Sequence, residues 1–317
     1  MVRSLCHTSL LVLLAASTLS AQPTKTLAER LGHPAGTKLL ILHADDLGVA
    51  HSVDAASFDA LEKGAISSAS VMMPTPWVTE VAAWMKAHPD ADLGLHLTIT
   101  AEWDSYKWGS VASKGRVPSL LDSAGVFPNE VEPVAKRARP AEVERELRAQ
   151  VERALASGIR PTHLDSHMGA LFATPGLMAV YLRVARSYNL PFLALRGDPR
   201  SPPHAAFRPN EIPLDTVIMA GPEVPRDQWK QFYLDAVAHL KPGLTEMIVH
   251  LGRDDAELQA VTVNHPDYGA AWRQRDYDVV TSEEFRKALA DNGVVLVTWR
   301  EIGKLCCSAA PERTMKR

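Results

Sequence analysis

The chain has 317 residues, 46% of them hydrophobic and 22% charged, with a formal net charge of −3. That apolar content at so small a net charge excludes global disorder. The balance of 34 Lys+Arg against 37 Asp+Glu argues against a strongly basic nucleic-acid binder. Three cysteines do not make a disulfide framework, whereas 12 histidines direct attention to metal or acid–base chemistry.

Arg3, the apolar run 10–16 and the following Ser-Thr-Leu-Ser-Ala read as a secretory signal over residues 1–21, cleaved near Ala21. The run is shorter than the roughly 20 apolar residues that a membrane-spanning helix needs. The expectation is an exported protein, periplasmic or extracellular, with one domain over residues 22–317 and no stable membrane insertion. Cys306 and Cys307 are adjacent and poorly placed to pair, so they read as a feature of the tail.

Residues 38–43 form an apolar run that ends at Ala44-Asp45-Asp46-Leu47-Gly48, the pattern of a buried strand finishing in a polar loop. Helical spacing follows over 53–63, a second strand over 67–73 and a helix over 77–86. A third strand covers 92–100, and a long stretch rich in Gly, Ser and Pro runs from 101 to 129. Residues 141–157 make an amphipathic helix whose Glu and Arg residues read as a solvated face with ion pairs. A strand end lies in Pro161-Thr-His-Leu-Asp-Ser-His167, followed by a helix over 177–188 and strands over 192–195 and 215–219. A helix over 226–240, a strand over 245–250, a helix over 282–291 and a strand over 294–298 close the series. Strands alternating with helices specify a parallel α/β protein, and strands apolar on both faces are buried on both. The pattern predicts a single irregular (β/α) TIM-like barrel of mostly parallel strands, with its chemistry at the carboxyl ends of the strands.

Several of those ends carry chemically competent side chains. Asp45 and Asp46 can divide the work of metal ligand and general base, or can cap the following helix. His96, in Gly94-Leu-His-Leu, reads either as a satisfied core residue or as a ligand. His163, Asp165 and His167 alternate, so in an extended segment they share a face. One of those histidines can bind a metal while a carboxylate orients it from behind. One Asp and two His suit Zn²⁺, Mn²⁺ or Fe²⁺, and Mg²⁺ less well.

The motifs His43-Ala-Asp-Asp-Leu-Gly48, Gly94-Leu-His-Leu-Thr98 and Pro161-Thr-His-Leu-Asp-Ser-His167 occur in the order and spacing of the YdjC-like (ChbG/HpnK) carbohydrate deacetylases, which the chain resembles over about residues 38–300. The resemblance implies an irregular barrel and one divalent metal ion (Zn, Mg or Mn), with Asp46, His96 and His167 as ligands and Asp45 as catalytic base. His250, in Glu246-Met-Ile-Val-His250-Leu-Gly252, matches the family segment ending in His-Pro-Gly, with Leu251 in place of Pro. It is the candidate acid, a cationic histidine that protonates the leaving amine. Arg196 matches a position that usually lines the site; alternatively it holds a local carboxylate such as Asp198. Met168-Gly169 stands where many relatives have more histidines, so the pocket wall differs.

Trp103, Tyr106 and Trp108 cluster in the long loop, where they can stack on sugar rings or pin the loop by burial. Trp272 could form another wall of the cleft. The expected activity is metal-dependent hydrolysis of sugar N-acetyl groups, with Asp165, His163, Arg196, Trp103 and Trp108 in supporting or substrate-contacting places. The expected partner is a carbohydrate, with no nucleic acid and a possible homodimer. A hydrolase of another amide or ester, such as an O-acetyl group, and an exported carbohydrate-binding protein with a vestigial site are the alternatives.

Overall fold

The computed structural model describes residues 25–197 and 207–307. The expected signal segment and Asp198 lie outside those residues. Seven strands of the described residues form one parallel sheet: β1 (Lys38–Leu47), β2 (Ser68–Val71), β3 (Leu93–Leu97), β4 (Leu164–Ser166), β5 (Thr216–Met219), β6 (Gly243–Val249) and β7 (Val294–Leu296). The order is β4-β3-β2-β1-β6-β5, with β7 also pairing β1. Strand β1 is long enough to serve three partners. Its first residues, Lys38 to Leu40, pair β7, its later ones from His43 pair β2, and its other edge pairs β6.

The helices are α1 (Leu27–Arg30), α2 (His51–Glu62), α3 (Val78–Ala87), α4 (Val131–Arg137), α5 (Pro140–Ala156), α6 (Pro175–Tyr188), α7 (Trp229–His239), α8 (Ala256–Val261), α9 (Ala270–Val280), α10 (Glu283–Asp291) and α11 (Trp299–Cys306). Helix α2 packs on β1, α5 on β3 and α6, α9 on β6, and α10 on β7. Their starts follow local chemistry: Thr174 caps α6 ahead of Pro175, Ser282 caps α10, and Thr298 with Glu301 forms a capping box on α11.

The parallel α/β fold is as expected, but the irregular TIM-like barrel is not closed: the strands of the described residues form an open, curled sheet. Between β4 and β5 the described residues offer two isolated bridges, Leu164 with Phe192 and Leu195 with Leu214. The expected strand over 192–195 divides its few residues between two neighbours: Leu193 donates to Leu164 O, and Ala194 O accepts from Leu214. Pro191, just before it, has no N–H to extend a ladder. A second correction concerns α5. Glu142, Glu146 and Gln150 are buried instead of solvated. Glu146 accepts from Val111 N and Ala112 N at 2.9 Å each, Glu142 from Ser119 N at 2.7 Å, and Gln150 pairs with both backbone groups of Thr98. These residues tie the long loop after β3 to the body, while Glu144 bridges Arg148 and Arg183 on the outer side.

Candidate active site

Neighbouring side chains on a strand point to opposite faces, which would part Asp45 from Asp46. The chain solves this inside β1, which runs on through both residues instead of ending before them. Asp46 has φ of +72°, and the pairing with β2 shifts register between Ala44 and Leu47. Asp is among the few non-glycine residues that adopt this left-handed backbone readily. Both carboxyls thereby border one cavity of about 690 Å³, a size within the range of small-molecule sites.

His96, from the end of β3, and His167, from the residue after β4, meet Asp46 on that cavity wall. Asp46 Oδ1 lies 3.3 Å from His96 Nε2 and 3.2 Å from His167 Nδ1. Two atoms each about 2.1 Å from one tetrahedral ion lie roughly 3.4 Å apart, so the spacing fits a cation. Asp46 Oδ1 is buried without a hydrogen-bond donor, a state a bound cation would relieve. Two imidazole nitrogens and one carboxylate oxygen suit Zn²⁺, Mn²⁺ or Fe²⁺ better than Mg²⁺.

Each of the three is held from behind. Arg273 Nη2, in α9, donates to Asp46 Oδ2 at 2.6 Å, leaving Oδ1 facing the histidines. His96 Nδ1 donates to Asp165 Oδ1 at 2.6 Å, and His167 Nε2 to Glu102 Oε2 at 2.9 Å. The carboxyls of Asp45, Asp46, Asp165 and Glu102 surround the two histidines. Burial opposes charge on Asp46, but Arg273, His167 and His96 outweigh it and hold the carboxyl well below its ordinary range. Burial likewise opposes charge on His96, yet Asp45 and Asp165 raise it well above the ordinary imidazole value. A potential that draws protons onto these histidines also attracts a cation.

Asp45 Oδ2 stands 3.7 Å from His96 Nε2 and 3.9 Å from His250 Nε2, and its Oδ1 is 3.1 Å from His43 Nε2. His43 is fully buried, with Ser68 and Ser70 hydroxyls at 2.9 and 3.0 Å and Asp165 Oδ2 at 3.1 Å. Burial disfavours its cation, but Asp165, Asp45 and the Glu246 charge push it up to about 10. His250 follows β6 and lines the cavity. Burial pushes it down to about 4, which disfavours the cation expected of it.

Other expected residues fall elsewhere. His163 is fully buried off the cavity, stacked on Trp299 with centroids 5.2 Å apart. Trp103 lines the cavity, with the Arg273 guanidinium 5.6 Å above its ring. Trp108 does not border the cavity. It donates from Nε1 to Thr100 O at 2.8 Å and packs its ring 6.2 Å from that of His167. Tyr106 OH donates to Val49 O at 2.6 Å, which pins the loop. Trp272 is buried between Trp229 and Tyr268, and it is Tyr268 that borders the cavity. Arg196 is exposed and pairs with Asp215 at 3.0 Å, so it does not line the site. Met168 and Gly169, both with left-handed backbone, do line it.

Glu102, Arg273 and His43 carry parts that sequence reasoning did not assign. His43 appeared in the first motif without a role; its place at the end of an apolar run was the available signal. Two further groupings, His43 with His163 and Asp165, and Asp45 with His96 and Asp165, could geometrically hold an ion. Neither His43 nor His163 borders the cavity.

Fold and site together define a parallel α/β protein with a candidate cation centre at the carboxyl ends of its strands. The chain belongs to the YdjC-like protein family, whose model matches residues 39–291. A carbohydrate deacetylase of Thermus thermophilus is 37% identical over 286 residues, covering 87% of this chain and 97% of the relative. A carbohydrate deacetylase of Geobacillus stearothermophilus is 29% identical over 274 residues, covering 84% and 98%. The crystal structure of a candidate cellobiose-phosphate cleavage protein from Enterococcus faecalis V583 matches with a TM-score of 0.71 at 24% identity, over 84% of this chain and 99% of that one. That likeness shows the shared fold.

Proposed function

We propose that the protein is a metal-dependent hydrolase that removes N-acetyl groups from sugars or oligosaccharides. The observation that carries this reading is the buried Asp46–His96–His167 set on the wall of a ligand-sized cavity, with Asp45 beside it. The curated relatives named carbohydrate deacetylases support a carbohydrate substrate.

A divalent cation held by Asp46, His96 and His167 would supply Lewis-acid polarisation of the acyl carbonyl and make water acidic enough to react near neutral pH. Asp45 stands between that set and His250, where it can take a proton from attacking water. His43 Nε2 lies 3.1 Å from Asp45 Oδ1 on the far side, close enough for its charge to act on that carboxyl. His250 starts neutral, so a proton it gives the leaving amine must first be acquired during turnover. Asp45 Oδ2, 3.9 Å away, is a near source. Arg273 contributes by holding Asp46.

Acetate release from N-acetylated oligosaccharides by metal-depleted protein, with Zn²⁺, Mn²⁺ or Mg²⁺ returned, tests the reading. Asp45→Asn should keep stoichiometric metal and lose turnover, whereas His96→Ala should lose metal affinity. Full activity in Asp45→Asn would remove Asp45 as base, and unchanged metal content in His96→Ala would remove His96 from the ligands. Metal binding by the wild type without release of acetate would turn the reading toward another acyl substrate or a binding protein.

A further inference from the structure

We infer that Glu102 is a positioning residue that selects the tautomer of His167, keeping the ring proton on Nε2 so that Nδ1 is free to bind the cation. The inference rests on the metal centre proposed above. The two histidines of that centre are presented in opposite senses. His96, on β3, turns Nε2 toward Asp46 and gives Nδ1 to Asp165. His167 turns Nδ1 toward Asp46 and gives Nε2 to Glu102. A neutral imidazole carries one ring proton, and the partner of one nitrogen decides whether the other has a free lone pair.

The backbone beside His167 is unlike that of His96, which sits within a strand. His167 leaves β4 directly into a turn in which Met168 and Gly169 have φ of +51° and +62°. The ring is flanked by His96 at 5.2 Å and Trp108 at 6.2 Å between centroids. In this packed setting Nδ1 faces the ligand position, so Nε2 needs an acceptor. Glu102 meets that need from a loop that is itself anchored. Ala101 N donates to Pro128 O at 2.8 Å, Lys107 Nζ donates to Ala101 O at 2.7 Å, and Gln150 holds Thr98 through both backbone groups. Trp103, the next residue, is buried. The Glu102 side chain keeps 18% exposure and borders the cavity, so truncating it removes an orienting contact without opening the core.

The test compares wild type, Glu102→Ala, Glu102→Gln and Asp46→Asn by titrating metal-free protein with Zn²⁺ against a chelator and by recording the visible spectrum with Co²⁺. Loss of an orienting partner typically weakens metal affinity about 10- to 100-fold, and this is expected for Glu102→Ala, with an altered Co²⁺ spectrum. Glu102→Gln should stay within a few-fold of wild type, because its amide oxygen still accepts from Nε2. Thermal melts of the metal-free variants confirm that each is folded. Wild-type affinity and spectrum in Glu102→Ala would overturn the assignment, as would a raised KM with metal binding untouched, which would make Glu102 a substrate contact. Loss in Glu102→Ala as complete as in Asp46→Asn would make Glu102 a ligand and overturn the positioning role. A wild type that binds no ion would overturn the metal centre and this inference together, whereas a metal-binding wild type with an indifferent Glu102 overturns this inference alone.

Discussion

Gly94→Ala is the perturbation whose consequence the packing states most directly. A Cβ at position 94 would lie 2.4 Å from His163 Cε1 and Nε2 and 2.6 Å from Cδ2. Ordinary contacts between carbon atoms are about 3.5–4.0 Å, so the imidazole would have to retreat by about 1 Å. Retreat is obstructed, because the ring stacks on fully buried Trp299 at 5.2 Å and meets His43 edge-on at 5.0 Å. Overpacking of this kind costs about 1–3 kcal/mol, and a ring blocked on two sides places this case near the upper end. For a chain of this size about 3 kcal/mol corresponds to a melting shift of roughly 4–5 °C. The assay is a double-mutant cycle of Gly94→Ala with His163→Ala, read by urea unfolding of the metal-free protein. The added methyl fits once the imidazole is gone, so the double variant should be more stable than the sum of the two losses by at least about 1 kcal/mol. Strict additivity, or a Gly94→Ala protein that unfolds like wild type, would refute the packing argument.

The remaining expectations concern two buried carboxyls. Burial raises Asp276 to about 6, against the lowering effect of the His250 N–H, Tyr233 and Trp229 hydrogen bonds and the Arg273 charge. A carboxyl with a higher pKa folded than unfolded stabilises the fold fully below its unfolded value near 3.8, and that stability is lost as pH rises through about 6. Wild type should therefore lose about 2 kcal/mol relative to Asp276→Asn between roughly pH 4.5 and 7.5, and a pH-independent difference in urea unfolding would contradict this. Glu146→Ala strands the Val111 and Ala112 N–H groups, which should cost about 2–3 kcal/mol and speed hydrogen exchange at those two amides. Unchanged exchange there would show that α5 does not hold the loop.

How much of this was legible follows from what each residue does to the sequence pattern. The ends of β1, β3 and β4 stood out because an apolar run gives way abruptly to Asp or His, as in Leu42-His43-Ala44-Asp45-Asp46. Helix α9 stayed hidden for the opposite reason. Its buried face includes Arg273 and Asp276 as well as Trp272 and Tyr277, so no apolar period marks it, and the guanidinium that holds Asp46 went unseen with it. On α5, Glu142, Glu146 and Gln150 recur every four residues on one stripe. That stripe looks like a solvated face until the loop that it binds is placed on top. Strand pairing was the least legible feature, because apolar runs establish burial without stating which edges meet; the run at 192–195 pairs weakly on both sides and leaves the sheet open.

The polar residues missed and the polar residues found belong to one arrangement. Asp45, Asp46 and Asp165 are buried and Glu102 is largely so, and leaving buried carboxyls unpaired would cost several kcal/mol each. The chain offsets that cost with Arg273 on Asp46, His43 between Asp45 and Asp165, His96 on Asp165 and His167 on Glu102. These partners come from β1, β3, α9 and the turn after β4, so each contact also joins separate elements. Removing one partner leaves a buried group uncompensated and loosens a junction of the fold. For that reason metal affinity and fold stability are useful paired readouts for variants of this site: Glu102, at the partly exposed edge, should move metal affinity with little change in stability, whereas Gly94, behind His163, should move stability.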